Sequence, residues 1–206
     1  MKLLEKRIKG NYANLIFSGG EEIKIHVDFL TEFNLEAGEE IEFSIVKTLK
    51  EISKKHEAKL KALNLLARRA HSKRELTIKL LQRKIEKEII EQIIPELERA
   101  GFLNDADFAR LYAEEKISRK RLGPLKIKSE LIKKGISKEI IDETISAIDR
   151  DTIYRNCKYL LEKKMNFIRE TDERKLRNKL YSYLNSKGYE AEIIYELLGD
   201  LSNIEF

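Results

Sequence analysis

One cysteine, Cys157, stands in a chain of 206 residues, so no internal disulfide can form and a reducing compartment is expected. It lies at helical spacing from Tyr154 and Leu161, which reads as a small buried apolar residue rather than a reactive thiol. No apolar run reaches the length of a membrane span, and Met1 to Gly10 lacks the apolar stretch of a secretory signal. The expectation is a cytoplasmic protein without membrane contact. Catalytic signatures are equally sparse: there is no G-x-x-x-x-G-K-[ST] phosphate loop, no H-E-x-x-H and no cysteine pair for zinc. The three histidines, His26, His56 and His71, are far apart in sequence, and His71 falls at a junction of two helices, where a structural role is the simpler assignment. No carboxylate stands isolated among apolar residues in the way that raises a catalytic pKa. A non-enzymatic chain with no cofactor and no metal is therefore expected.

Charge, by contrast, is abundant. Charged residues make up 37% and hydrophobic residues 42%, a balance that fits a thin core in a slender array. The net charge of +5 is uneven. Residues 1–50 carry 7 basic and 9 acidic groups, 51–100 carry 13 and 8, 101–150 carry 11 and 9, and 151–206 carry 10 of each. The positive excess lies in the middle of the chain, and it is periodic. Arg68 to Lys84 and Arg119 to Gly135, 51 residues apart, each hold seven Lys or Arg and a single acid. Leu80 and Leu131 match, and each stretch runs into an Ile-Ile pair, Ile89-Ile90 and Ile140-Ile141. A weaker copy follows 53 residues later with Leu184, Gly188 and Ile193-Ile194. A period near 50 indicates units that bury their apolar faces on neighbours.

The spacing predicts a mainly α chain: an elongated array of three tandem three-helix repeats over residues 49–103, 104–150 and 151–206, after a small β-containing module over 1–48. In that module Asn11 to Phe17 and Glu21 to Val27 flank Ser18-Gly19-Gly20, a hairpin pattern, and Gly38 marks a further turn. A helix is expected from about Glu39 to Ala70, with Ile45, Leu49, Ile52, Leu60, Leu63 and Leu66 as its apolar stripe. Ser72 and Glu75 form a capping box for a second helix to about Arg83. A third over Glu86 to Ala100 closes at Gly101 with Phe102 packing back, and Pro95 is expected to kink it. Repeat two reads as a helix capped by Asp105 and running to about Arg121, then Gly123-Pro124 opening the next, then Ser137 capping the last. Repeat three reads as helices from Asp151 to about Phe167, Asp172 to about Ser186, and Glu190 to Leu201. Gly135 and Gly188 supply left-handed turns after the second helix; the matching residue of repeat one is Lys84, so that turn must be strained or shaped differently.

Charges are sorted by helix. The second helix and its approach are basic, whereas the third is acidic: residues 86–98 hold five acids and one base, 137–149 four and one, 190–200 four and none. Stacked units would place a basic face opposite an acidic one, and a basic stripe suits a polyanion because each phosphate contact releases counterions. The candidates are Arg68, Arg69, Lys73, Arg74, Lys79 and Arg83, with Arg119, Lys120, Arg121, Lys126, Lys128, Lys133 and Lys134. A single Lys or Arg ordinarily just solvates its helix, but solvated helices interleave both signs and these windows do not. For stacking on bases, Tyr112, Tyr181, Tyr183 and Tyr189 lie nearest the basic groups. Tyr189 matches Ile85 and Ile136 and so reads as core, leaving Tyr183 as the more exposed choice.

These residues also resemble a known family. Ala62-Leu63-x-Leu65-Leu66-Ala67-Arg68-Arg69, Ser72-x-x-Glu75-Leu76-x-x-Lys79-Leu80-Leu81 and Ala100-Gly101-Phe102-Leu103-x-Asp105-x-x-Phe108-Ala109 are similar to RecX, the bacterial regulators of the RecA recombinase. The likeness continues through Arg119, Arg121, Gly123-Pro124, Ile127, Leu131 and Lys134-Gly135-Ile136. It covers about residues 58–150 well and repeat three more loosely. The resemblance implies an elongated, curved array of three-helix repeats that lodges in the groove of the RecA filament on single-stranded DNA. It further implies inhibition of RecA, and thereby a part in DNA repair, homologous recombination and the SOS response, with the basic face around Arg119, Arg121, Lys126 and Lys128 toward the filament. A monomer is expected, with binding to naked DNA as an additional property. Lys84 replaces the family's usual Gly, and the first 50 residues lie outside its core pattern. Two other readings stand beside this one: a general nucleic-acid-binding helical protein, and a scaffold that recruits a basic protein through Glu139, Asp142 and Glu143.

Overall fold

The structure is a computed structural model and describes residues 1–200. Among these the chain is mostly helical, with nine α-helices and one three-stranded antiparallel sheet of order β1-β2-β3. It divides into two compact units, one of residues 1–69 with 76–103, the other of residues 70–75 with those from 104 onward.

The first unit begins with β1 (Leu3–Lys9), β2 (Tyr12–Phe17) and β3 (Glu22–His26). β2 alternates half-buried and buried residues, placing Ala13, Leu15 and Phe17 on the core side. The expected hairpin is present as β2 and β3. β1 was not expected, and its composition explains why. It is an edge strand whose residues after Leu3 are charged or exposed, so it shows no alternation while still pairing from Leu3↔Phe17 to Lys9↔Tyr12.

A long helix, α1 (Phe43–Leu66), covers this sheet with Val46 and Leu49, then continues into a second cluster with Ala58, Ala62 and Leu65. It starts at Phe43, after the turn at Gly38 (φ 100°), rather than at Glu39. Leu49 is buried as expected, with Ile45 and Ile52 packed against the same cluster, but the later part of the stripe is displaced: Leu60 is exposed and Leu63 and Leu66 are half-buried. Small Ala58 and Ala62 take the innermost places, where they let neighbouring helices approach closely. The second cluster is completed by Leu76 and Leu80 of α2 (Lys73–Gln82) and Ile90, Ile93 and Leu97 of α3 (Lys87–Arg99). α3 runs past Pro95 without a break. It ends in a Schellman turn at Gly101 (φ 74°), where Phe102 N–H donates to Leu97 C=O at 2.9 Å. Here Leu103, not Phe102, turns inward; Phe102 is exposed.

The second unit contains α4 (Asp105–Lys120), α5 (Pro124–Lys133), α6 (Lys138–Ser146), α7 (Arg150–Met165), α8 (Glu173–Ser186) and α9 (Ala191–Asp200). α9 reaches the end of the described residues, and Leu201, the expected end of that helix, lies outside them. The N-cap of α4 is Asn104, whose side chain accepts from Ala106 N–H and Asp107 N–H. Asp105, the expected cap, instead accepts from Lys73 N–H at 2.8 Å. Ser72 caps α2 as expected, accepting from Glu75 N–H at 3.1 Å, but the Glu75 carboxylate turns to His71 and Lys134. Leu131 and Leu184 are fully buried, as is Leu80 in the first unit, so the 51- and 53-residue periods mark equivalent core positions.

Within this second unit one joint is built twice. Ser72 Oγ donates to Lys134 C=O at 2.8 Å, and a Cβ on Gly135 would lie 2.6 Å from Arg74 Cδ. At the matching place 51 residues on, Gly123 N–H donates to Lys187 C=O at 2.9 Å and Leu125 N–H to Gly188 C=O at 3.0 Å. A Cβ on Gly188 would collide with the Lys126 backbone, and one on Gly123 with the Gly188 carbonyl. The start of one repeat's second helix is thus seated on the end of the next repeat's second helix. Glycine serves there both for its positive φ (78° and 89°) and for the close approach.

Candidate polyanion-binding surface

The basic candidates fall on both units. In the first, Arg68 and Arg69 follow α1 and are exposed, Lys79 is half-buried on α2, and the Arg83 guanidinium donates to Lys79 C=O at 3.1 Å. In the second, Lys73 and Arg74 open α2, Arg119, Lys120 and Arg121 close α4, and Lys126, Lys128, Lys133 and Lys134 follow along α5 and its cap. Arg68, Arg74, Arg119, Lys120, Lys126 and Lys133 are exposed and make no ion pair among the described residues. Among the described residues, nothing occupies their charge.

Three other cations are committed inside the second unit. Lys128 binds Asp142 at 2.7 Å and ties α5 to α6; that hydrogen bond holds the Asp142 carboxyl below its usual range. Lys134 pairs with Glu75 and lies 4.9 Å above the Tyr112 ring centroid. Lys116, which the sequence did not single out, is 9% exposed and sits 4.4 Å above the same ring. The Tyr112 hydroxyl donates to Glu130 at 2.7 Å, and burial followed by this bond pushes its pKa upward. The one acid of each basic window, Glu75 and Glu130, is therefore an internal partner. That was the available signal that some of the neighbouring lysines face inward.

The tyrosines divide similarly. Tyr189 is 1% exposed and donates to Arg121 C=O at 2.7 Å, so it is core as expected. Tyr181 stacks on Tyr195 at 5.2 Å, and Tyr183 is half-buried between Lys164 and Lys187, 5.3 and 5.5 Å from its centroid. Tyr159 was missed. It is exposed, with the Arg121 guanidinium 4.1 Å from its centroid. The equal numbers of acids and bases after residue 150 concealed it.

The acidic helices are partly neutralised within their own units. In the first, Lys55 and Lys59 of α1 bind Glu96 of α3 at 2.6 and 3.2 Å, which lowers the Glu96 pKa. In the second, Arg150 meets Glu192 at 3.2 Å. Glu143 lines a groove of about 610 Å³ with Ile117, Ile148, Asp107, Glu114 and Arg110, and Arg110 pairs with Asp107 at 3.7 Å and Glu114 at 3.0 Å. His26 and His56, remote in sequence, meet with ring centroids 5.3 Å apart, and burial followed by the neighbouring His26 lowers the His56 pKa. Among the described residues no group of three or more His, Cys, Asp or Glu is arranged to hold a metal ion. Cys157 is fully buried and burial pushes its thiol up to about 12, as expected of a packing residue. No helix among the described residues is long and apolar enough to cross a membrane.

Comparison with known proteins gives consistent matches. Three family models align in order: RecX, first three-helix domain, with residues 58–97; RecX, second three-helix domain, with 104–145; and RecX, third three-helix domain, with 151–198. The Regulatory protein RecX of Clostridioides difficile (strain 630) is 28% identical over 204 residues, covering 99% of this chain and 96% of the relative. That of Clostridium tetani (strain Massachusetts / E88) is 32% identical over 200 residues, covering 96% and 91%. A crystal structure of regulatory protein RecX matches with a TM-score of 0.81 at 21% identity, over 97% of this chain and 98% of that one. RecX from Lactobacillus salivarius matches at 0.67 and 26%, over 73% and 98%.

Proposed function

The chain belongs to the RecX family of regulatory proteins, and from that premise we propose that it binds the RecA filament on single-stranded DNA and lowers RecA activity. In this role it acts as a cytoplasmic monomer, without catalysis of its own, in DNA repair, homologous recombination and the SOS response. The observation that carries the reading is the set of exposed cations without ion pairs among the described residues, Arg119, Lys120 and Lys126 at the α4–α5 turn with Arg68, Arg74 and Lys133 elsewhere. A nucleoprotein filament presents phosphates in a regular row, and each neutralised phosphate releases counterions. Contacts made by several repeats reinforce one another through effective concentration. The effect on RecA is set by the protein's differential affinity for the filament's conformational states.

The experiment is co-sedimentation with RecA assembled on single-stranded DNA. Wild-type protein is expected to pellet with the filament at low salt and to dissociate as salt rises. The triple reversal Arg119→Glu, Lys120→Glu, Lys126→Glu is expected to weaken pelleting at least tenfold, since roughly three phosphate contacts are lost. Equal pelleting of both proteins at every salt concentration refutes the assignment of this surface. The acidic scaffold reading rests on Glu139, Asp142 and Glu143, of which Asp142 is held by Lys128; it gains support only if reversal of those acids, and not of the bases, removes a partner.

A further inference from the structure

Exposed Tyr159 on α7 and half-buried Arg121 at the end of α4 form a cation–aromatic pair. The guanidinium carbon lies 4.1 Å from the ring centroid, and 44% of Tyr159 remains open to solvent. The fold holds the pair in place at several points. Arg121 has a left-handed backbone, φ 49°, a conformation shared among the described non-glycine residues only with Lys84. Such a backbone persists only where its surroundings impose it. Buried Tyr189 does so by donating its hydroxyl to Arg121 C=O at 2.7 Å, and Leu122 N–H closes the end of α4 on Lys116 C=O at 3.1 Å. Asn156 of α7 donates to Ile117 C=O at 3.2 Å, which fixes α7 against the last turns of α4.

The surroundings of the pair are basic. Arg155 and Lys163 lie four residues before and after Tyr159 on the same side of α7, each roughly 6 Å away along the axis. Both are exposed; Arg155 bonds Thr152 at 3.0 Å and interacts with the Asp149 carboxylate, while Lys163 has no ion pair among the described residues. Glu162 is the one acid between them. Arg119 and Lys120 add exposed charge from the last turn of α4.

We propose that Tyr159 and Arg121 form a stacking platform for an unpaired base of single-stranded nucleic acid, with Arg155, Lys163 and Lys120 taking the phosphates on either side. Bases stack on aromatic rings and on guanidinium planes, whatever their identity, because every base has a π face. A base inside a duplex has no free face to offer, so the platform selects unpaired strands. The proposal deepens the filament reading and rests on it for the biological partner.

The test is fluorescence anisotropy of the full chain at low salt with three labelled probes: a short oligothymidylate, an abasic strand of equal length, and a duplex. Wild-type protein is expected to bind the oligothymidylate on the order of tenfold tighter than the abasic strand, and tighter than the duplex. Tyr159→Ala should erase the base-dependent difference while leaving abasic binding unchanged, and Tyr159→Phe should restore it. Equal wild-type affinity for thymidylate and abasic strands overturns the platform without recourse to any variant, as does an undiminished difference in Tyr159→Ala or a preference for duplex. A parallel RecA ATPase assay separates the two claims. A protein that discriminates bases yet leaves RecA unaffected contradicts the filament reading alone; one that alters RecA without base discrimination contradicts the platform alone.

Discussion

Lys84 and Gly188 occupy the same turn under opposite constraints. In all three repeats the second helix ends in one hydrogen-bond pattern: Ile85 to Leu80, Ile136 to Leu131 and Tyr189 to Leu184, at 3.2, 3.2 and 3.3 Å. The intervening residue has positive φ each time, 60° at Lys84 and 89° at Gly188. The mismatch at Lys84 was legible in the sequence, but its reason was not. Gly188 is seated against the Lys126 backbone, whereas Lys84 is exposed. Lys84→Gly should therefore raise stability by up to about 1 kcal/mol, relief of left-handed strain being partly offset by greater unfolded-chain entropy. Gly188→Ala should lower it by roughly 2 kcal/mol, from φ strain and the backbone collision together. Urea unfolding measures both; a tolerated Gly188→Ala would refute the joint.

At the scale of elements, regular patterns were readable and their exceptions were not. β2 announced itself by alternation, but β1 is an edge strand of exposed charges and gave no period. α1 was evident as a helix, yet its contact line runs through Ala58 and Ala62, which a search for leucines overlooks. α5 shows the same limit for the candidate site. Its basic character was plain, but only tertiary structure separates exposed Lys126 and Lys133 from Lys128 and Lys134, which bind Asp142 and Glu75. The two classes should respond differently. Lys134→Ala leaves the Glu75 carboxylate without its lysine and should lower stability by about 1–3 kcal/mol. Lys126→Ala should leave the urea midpoint unchanged and act on filament association alone. Equal destabilisation by the two would erase the distinction between internal and binding cations.

For the molecule as a whole, repetition carried most of the information. Core positions recurring at 51 and 53 residues disclosed three equivalent units, and the ordered motifs disclosed the family. Segment charges located the basic windows but hid Tyr159 with Arg155 and Lys163, because acids elsewhere in the third repeat cancel their sum. The proposed regulation of the RecA filament draws on several such surfaces together, so the decisive measurement is on RecA itself. RecA ATPase on single-stranded DNA, titrated with this protein at low salt, should fall progressively to a plateau. The inhibition should weaken markedly between roughly 50 and 200 mM salt as phosphate contacts are screened, and the Arg119, Lys120 and Lys126 reversal should shift it to higher protein concentration. An ATPase rate that stays unchanged at saturating protein and low salt would contradict the account.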